Sequence, residues 1–183
     1  LIDDLEDGDR KLALAGGGDW YTLGDGTGQG SGAVDEIPGT RGGSAFTWGY
    51  HAVGSGHSDW GSLVGFNLGT PHFDASEFTG VRFWLRAKAT TKIIVQFPDQ
   101  YSDEAAGLCQ SAGTCNKHFV AELTAHSEWS HYTVPFSSLK PISWAGDIGR
   151  DQVDAKTLYS IVFFFEKGLE YDVWVDDVSF YKE

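Results

Sequence analysis

A chain of 183 residues is long enough for one domain with a buried core. Twenty-six acidic side chains against 13 basic ones give a formal charge of −13, which argues against nucleic acid and anionic membrane as partners and fits a neutral ligand. No apolar run approaches ~18 residues, so no transmembrane helix is expected.

The chain opens on an acidic segment, Asp3-Asp4-Leu5-Glu6-Asp7-Gly8-Asp9. Trp20-Tyr21-Thr22 follows, then Asp25-Gly26-Thr27 at the start of a long irregular stretch, residues 24–43, rich in Gly, Thr and Ser. A glycine-rich stretch with Asp25 and no following Lys is no phosphate cradle. Over residues 45–52, Phe46, Trp48 and Tyr50 share one parity and Ala45, Thr47 and Gly49 the other, a pattern that makes core by default. Trp60 lies in the loop-like Gly56-His57-Ser58-Asp59-Trp60-Gly61.

The strand signals are strong from there on, and helix signals are poor because 24 glycines are scattered along the chain. Val81-Arg82-Phe83-Trp84-Leu85-Arg86 alternates. So do residues 93–97, where Ile93, Val95 and Phe97 face the core and Gln96 faces away, with Asp99, Gln100 and Tyr101 at the strand end. A second irregular stretch, 98–117, holds Cys109 and Cys115. Their short Gly- and Ser-bearing loop can hairpin and let the two Cβ atoms approach, so a disulfide and an oxidising compartment are expected. Their spacing matches no zinc pattern, and His118 alone does not complete one.

Tyr132-Thr133-Val134-Pro135-Phe136 is a further strand, and Trp144 follows in the loop Pro141-Ile142-Ser143-Trp144-Ala145-Gly146. Ile161-Val162-Phe163-Phe164-Phe165 is apolar on both faces. Such a strand is covered on both sides, the favoured reading, or keeps one face for an apolar ligand. In the last strand Tyr171, Val173 and Val175 share a face, while Val178 and Phe180 fall on the other parity. A one-residue bulge at Asp176-Asp177 reconciles them and would aim a carboxylate toward Glu6. Two acidic clusters, one near each end of the chain, are stable together if they share a hard cation such as Ca²⁺; otherwise they are solvated turn acids. Short strands with polar connections read as an all-β fold, a single antiparallel β-sandwich of jelly-roll type.

The opening Ile2-Asp3-Asp4-Leu5-Glu6-Asp7-Gly8 and the closing Asp172-Val173-Trp174-Val175-Asp176-Asp177-Val178-Ser179-Phe180-Tyr181 resemble the two ends of jelly-roll carbohydrate-binding modules of bacterial cellulases and hemicellulases. Trp20-Tyr21-Thr22 with Asp25-Gly26-Thr27 is similar to an early strand and turn of such domains. The segment Phe73-Asp74-Ala75-Ser76-Glu77-Phe78-Thr79-Gly80-Val81-Arg82-Phe83-Trp84 is similar to their central strand and its approach, and Trp129 with residues 132–139 is similar too. The resemblance covers nearly the whole chain in order. It implies a galactose-binding-like sandwich over residues 1–183 and a structural calcium joining the first and last strands, carried here to Glu6, Asp177 and Asp4. It also implies a non-catalytic module, expected to be excised from a larger secreted protein, that targets an attached glycoside hydrolase; the mixture of loop tryptophans and strand-end polar groups, with no regular row of exposed aromatics, makes single soluble chains of β-1,4-linked plant cell-wall glucans the expected ligand class. Cello-oligosaccharides, xyloglucan and mixed-linkage glucan are the expected ligands. The absence of any methionine fits such an excised piece.

A pyranose has apolar C–H faces and a hydroxyl rim, so its receptor needs flat aromatic platforms beside hydrogen-bonding side chains. The expected ligand residues are Trp48, Tyr50, Trp60 and Trp144 as platforms, with Gln96, Asp99, Tyr101 and His118 at a strand end. Trp84 and Trp174 are expected to be structural. Two other classes are weighed. A small jelly-roll glycoside hydrolase (xylanase or endoglucanase) would need two carboxylates across a cleft, for which Glu122 and Glu166 are the candidates. A structural accessory domain without ligand would expose no aromatic side chains.

Overall fold

The computed structural model describes residues 1–38, 47–109 and 115–183, so Phe46 lies outside the described residues. The alternating patterns become strands because each puts its apolar parity inward. In the strand Gly80–Ala87, Val81, Phe83, Leu85 and Ala87 are fully buried, while Arg82, Trp84 and Arg86 point outward. In chain order the strands are β1 (Trp20–Gly24), β2 (Gln29–Glu36), β3 (Trp48–Ser55), β4 (Gly61–Asn67), β5 (Gly80–Ala87), β6 (Thr91–Phe97), β7 (Phe119–Ala125), β8 (Ser130–Pro135), β9 (Lys140–Pro141), β10 (Ser160–Glu166) and β11 (Tyr171–Tyr181). Two single-turn 3₁₀ helices complete the regular structure among the described residues. No helix there is long and apolar enough to cross a membrane.

The strands form two antiparallel sheets packed as a sandwich. One has six strands in the order β1-β4-β10-β6-β7-β9, the other five in the order β2-β3-β11-β5-β8. Aromatic rings fill the space between them. Trp20 stacks on Tyr50 at 4.8 Å and meets Phe66 edge-on at 4.5 Å, and Phe83 meets Phe163 edge-on at 5.2 Å. The expected all-β sandwich is the observed architecture.

The irregular stretch expected over residues 24–43 contains a strand instead. β2 pairs with β3 at eight successive positions. Its glycines hid it from the alternation, and they are there because rings occupy the side-chain space. A Cβ on Gly32 would lie 2.6 Å from the Tyr50 ring, and one on Gly30 would lie 3.3 Å from the Tyr171 hydroxyl.

The ends of the chain meet as expected. Asp3 and Val178 exchange backbone hydrogen bonds of 3.0 and 2.8 Å. Asp3 is buried, and its Oδ2 accepts the Trp20 indole N–H at 2.7 Å. The bulge in β11 is present: the pairing with β5 advances three residues on β11, from Asp176 to Ser179, against two on β5, with Asp177 at φ 50°. Parity therefore switches, and Val173, Val175, Val178 and Phe180 all reach the core. The carboxylate the bulge buries belongs to Asp176, whose Oδ1 accepts the Asp177 N–H at 2.6 Å.

Candidate functional site

The outer face of the six-stranded sheet carries apolar side chains that turn away from the sandwich core and stay partly exposed. Register aligns them across five strands: Leu23 on β1 opposes Leu63 on β4, Leu63 opposes Phe164 on β10, Phe164 opposes Ile94 on β6, and Ile94 opposes Glu122 on β7. All point away from the core, because Trp20, Val64, Phe163, Val95 and Phe119 take the inward parity. At ~4.8 Å per strand the row is about 19 Å long. Leu23 is 56% exposed, and Leu63, Phe164 and Ile94 are half-buried.

Loops at the margins add two tryptophans. Trp60, in the loop before β4, is 38% exposed and lies nearly parallel to Phe164, with centroids 6.2 Å apart and 17° between planes. Trp144 is 61% exposed in the loop after β9. That loop is seated on the sheet by Ile142 and Ala145, which bury against Val120 and Ile94, and by the Ile142 N–H donating to the His118 carbonyl at 3.0 Å. Trp144 and Phe164 wall a cleft of about 270 Å³ whose polar lining is Lys92, Thr124, Ser143, Glu122 and Glu166. Apolar rings with carboxylates and an ammonium group beside them suit a ligand that has flat C–H faces and hydroxyls.

A second polar patch lies one row along the sheet, where Tyr21 opposes Gly65, and Gly65 opposes Val162. Burial, then the nearby Asp103 and Tyr159, push the Tyr21 phenol up to about 12. Burial and Asp103 also raise Tyr159, whose hydroxyl accepts the Asn67 amide N–H at 3.1 Å. Two protonated phenols and an amide stand there beside the apolar row.

Trp60 and Trp144 thus stand on the same face of the sheet, both close to Phe164. Tyr101, in the loop after β6, is 41% exposed, with the Arg150 guanidinium 4.9 Å from its ring centroid. The other expected ligand residues are placed differently. Tyr50 is fully buried against Trp20, with its hydroxyl 3.1 Å from Thr22 Oγ1, so it is core and no platform. Trp48 belongs to the other sheet and is half-buried against the core. Gln96 points outward but is only 7% exposed.

Asp99 has no exposed surface, because its carboxylate is already used. It accepts Arg150 Nη1 at 2.6 Å, Arg150 Nη2 at 3.3 Å, the Asp154 N–H at 3.0 Å, the Tyr101 N–H at 3.1 Å and the Ser102 hydroxyl at 3.0 Å. His118 is buried beside it, with Nδ1 3.1 Å from Ser102 Oγ. Burial pushes the imidazole down to about 4, with Asp99 offsetting part of the shift, so at neutral pH it is uncharged. Asp99 and His118 support the loop from beneath and do not reach its surface. Cys109 and Cys115 are disulfide-bonded in this loop, with Cα atoms 5.4 Å apart.

Composition and alternation did not single out Leu23, Leu63, Ile94, Phe164, Tyr21, Tyr159 or Arg150. One signal existed for Phe164: its strand is apolar on both parities.

The Glu6 carboxylate accepts the Thr47 N–H at 3.0 Å and the Trp48 N–H at 3.4 Å. Asp177 comes to the same margin, two residues past the Tyr50–Val175 pair of β3 and β11. Asp4 Oδ1 accepts the Glu6 N–H at 3.4 Å. These oxygen donors are of the kind calcium takes. No group of three His, Cys, Asp or Glu among the described residues is gathered closely enough to hold a metal, so backbone carbonyls would have to complete any shell.

By sequence, no curated protein matches the chain significantly. Two solved structures with similar folds are carbohydrate-binding modules of Clostridium thermocellum. The family 11 module in complex with a β-1,3-1,4-mixed-linked tetrasaccharide is 18% identical, with a TM-score of 0.65, and the match covers 89% of this chain and 88% of that one. The family 30 module of a cellulosomal cellulase is 18% identical, with a TM-score of 0.58, covering 91% and 87%. The family model for Carbohydrate binding domain 30 matches residues 29–182, most of the chain, and the protein belongs to that family of non-catalytic carbohydrate-binding modules.

Proposed function

We propose that the outer face of the six-stranded sheet binds single soluble β-1,4-linked glucan chains, among them cello-oligosaccharides, xyloglucan and mixed-linkage glucan. The carrying observation is the row Leu23–Leu63–Phe164–Ile94, flanked by Trp60 and Trp144. A sugar chain laid along it would rest its C–H faces on the rings and turn its hydroxyls toward Glu122, Glu166, Lys92, Tyr21 and Tyr159. The similar family 11 module, described with a mixed-linkage tetrasaccharide, supports the choice of ligand. In a non-catalytic family the carboxylates of Glu122 and Glu166 serve as hydrogen-bond acceptors.

The module would hold an attached glycoside hydrolase at the plant cell wall. The disulfide fits a secreted protein, since such bonds persist in oxidising compartments. Calcium at Glu6 and Asp177, with Asp4 beside them, would tie the N-terminal segment to β3 and β11. Affinity electrophoresis and calorimetry against a polysaccharide panel, paired with a reducing-sugar assay, test the reading. Retardation by β-glucans with no sugar release is expected. Binding to none of them would overturn it.

A further inference from the structure

The turn Asp25-Gly26-Thr27 joins β1 in one sheet to β2 in the other, and nothing in the proposed binding face uses it. Its carboxylate nevertheless carries more hydrogen bonds than a turn requires. Asp25 Oδ1 accepts the Thr27 N–H at 2.9 Å, the Thr27 hydroxyl at 2.7 Å and His57 Nδ1 at 3.1 Å. Oδ2 accepts the Asp59 N–H at 2.9 Å and the Gly61 N–H at 3.0 Å. Thr27 Oγ1 in turn accepts the Ser58 N–H at 2.8 Å, and the Asp25 N–H donates to the Gly61 carbonyl at 3.0 Å. The Asp25 side chain has no solvent exposure. Burial alone would raise its pKa, but the donors from Thr27, His57 and Gly61 outweigh it and hold the group well below the usual carboxylate range.

The residue between the two N–H groups gripped by Oδ2 is Trp60. Gly61, the next residue, has φ 123°, and a Cβ there would strike the Phe165 carbonyl. The backbone after Trp60 is thus pressed onto β10 beside Phe164, the ring to which Trp60 lies nearly parallel.

We propose that Asp25 is a positioning residue that fixes the loop 57–61 so that Trp60 is held beside Phe164, nearly parallel to it, before the sugar arrives. Trp60 is an exposed side chain on a short loop, and a ring ordered in advance costs no conformational entropy on binding. This rests on the glucan-binding reading of the face.

The test is a double-mutant cycle by calorimetry against a cello-oligosaccharide, using wild type, Trp60→Ala, Asp25→Asn and the double variant. Thr27→Val, which removes only the hydroxyl contacts to Asp25 and Ser58, replaces Asp25→Asn if that variant does not fold. Asp25→Asn is expected to weaken binding about fivefold and to add nothing in the Trp60→Ala background. In ¹H–¹⁵N spectra without ligand, the indole cross-peak missing from Trp60→Ala should shift in Asp25→Asn while the other indole peaks stay. Wild-type affinity in the single variant, or losses that multiply in the double, would overturn the proposal, as would a Trp60 cross-peak that does not move. Wild-type protein that binds no β-glucan overturns the functional reading and the affinity claim with it, while the cross-peak still decides whether Asp25 seats the ring.

Discussion

Phe164 and Trp60 lie nearly parallel with ring centroids 6.2 Å apart, one on the outer parity of β10 and the other in the loop before β4. Trp60 thus sets a second ring beside the row, where the loop before β4 meets the sheet. If this pair and Trp144 form the sugar platform, Phe164→Ala and Trp144→Ala should each weaken glucan binding about tenfold, or ~1.4 kcal/mol. Trp144→Ala should leave the melting temperature unchanged, because the ring is 61% exposed. Trp48→Ala should leave affinity unchanged. Tyr50→Ala should instead lower stability by about 3–5 kcal/mol, as for other buried aromatic truncations. Calorimetry and chemical denaturation separate the two effects.

Calcium should act on stability. At ~100-fold excess over its Kd, a bound ion adds ~2.7 kcal/mol by linkage, so melts in Ca²⁺ and in chelator should differ by several degrees. Glu6→Gln should abolish most of that difference. Identical wild-type melts would remove the claim.

The Asp99–Arg150 pair should be costly to break from the arginine side. Arg150→Ala leaves a fully buried carboxylate without its cation, and about 3 kcal/mol of stability should be lost. Arg150→Lys should restore only part of it, because a single ammonium cannot reproduce contacts through both Nη1 and Nη2. Urea titration gives the measurement.

His118 makes stability depend on pH. Its folded-state value is about 4 against 6.5 for the free side chain. Between these values the unfolded chain binds the extra proton, so stability should fall as pH is lowered from 6.5 toward 4. The contribution is on the order of 3 kcal/mol. His118→Asn should flatten the stability profile over that window. A slope identical to wild type would show that the ring does not titrate this way.

The features legible in the residues alone were local ones. Period-2 alternation placed β5, β6 and the first half of β11, because a strand's parity is set by adjacent residues alone. The parity switch from Val175 to Val178 located the bulge for the same reason, and Cys109 and Cys115 lie close enough in sequence to be paired from their spacing.

Which apolar face stays open follows from how the two sheets pack. Tyr50 and Phe164 are both aromatic residues on strands, yet Tyr50 is sealed between the sheets and Phe164 lies on the outer face of one of them. Asp99 sits at a strand end like a ligand residue, but Arg150, brought from a distant loop, occupies its carboxylate. β2 was hidden because its glycines make sense only once the Tyr50 and Tyr171 rings are in place. Whether a side chain is platform or core depends on what covers it, and in an antiparallel sandwich the cover comes from strands far away in sequence, through pairings that local alternation does not encode.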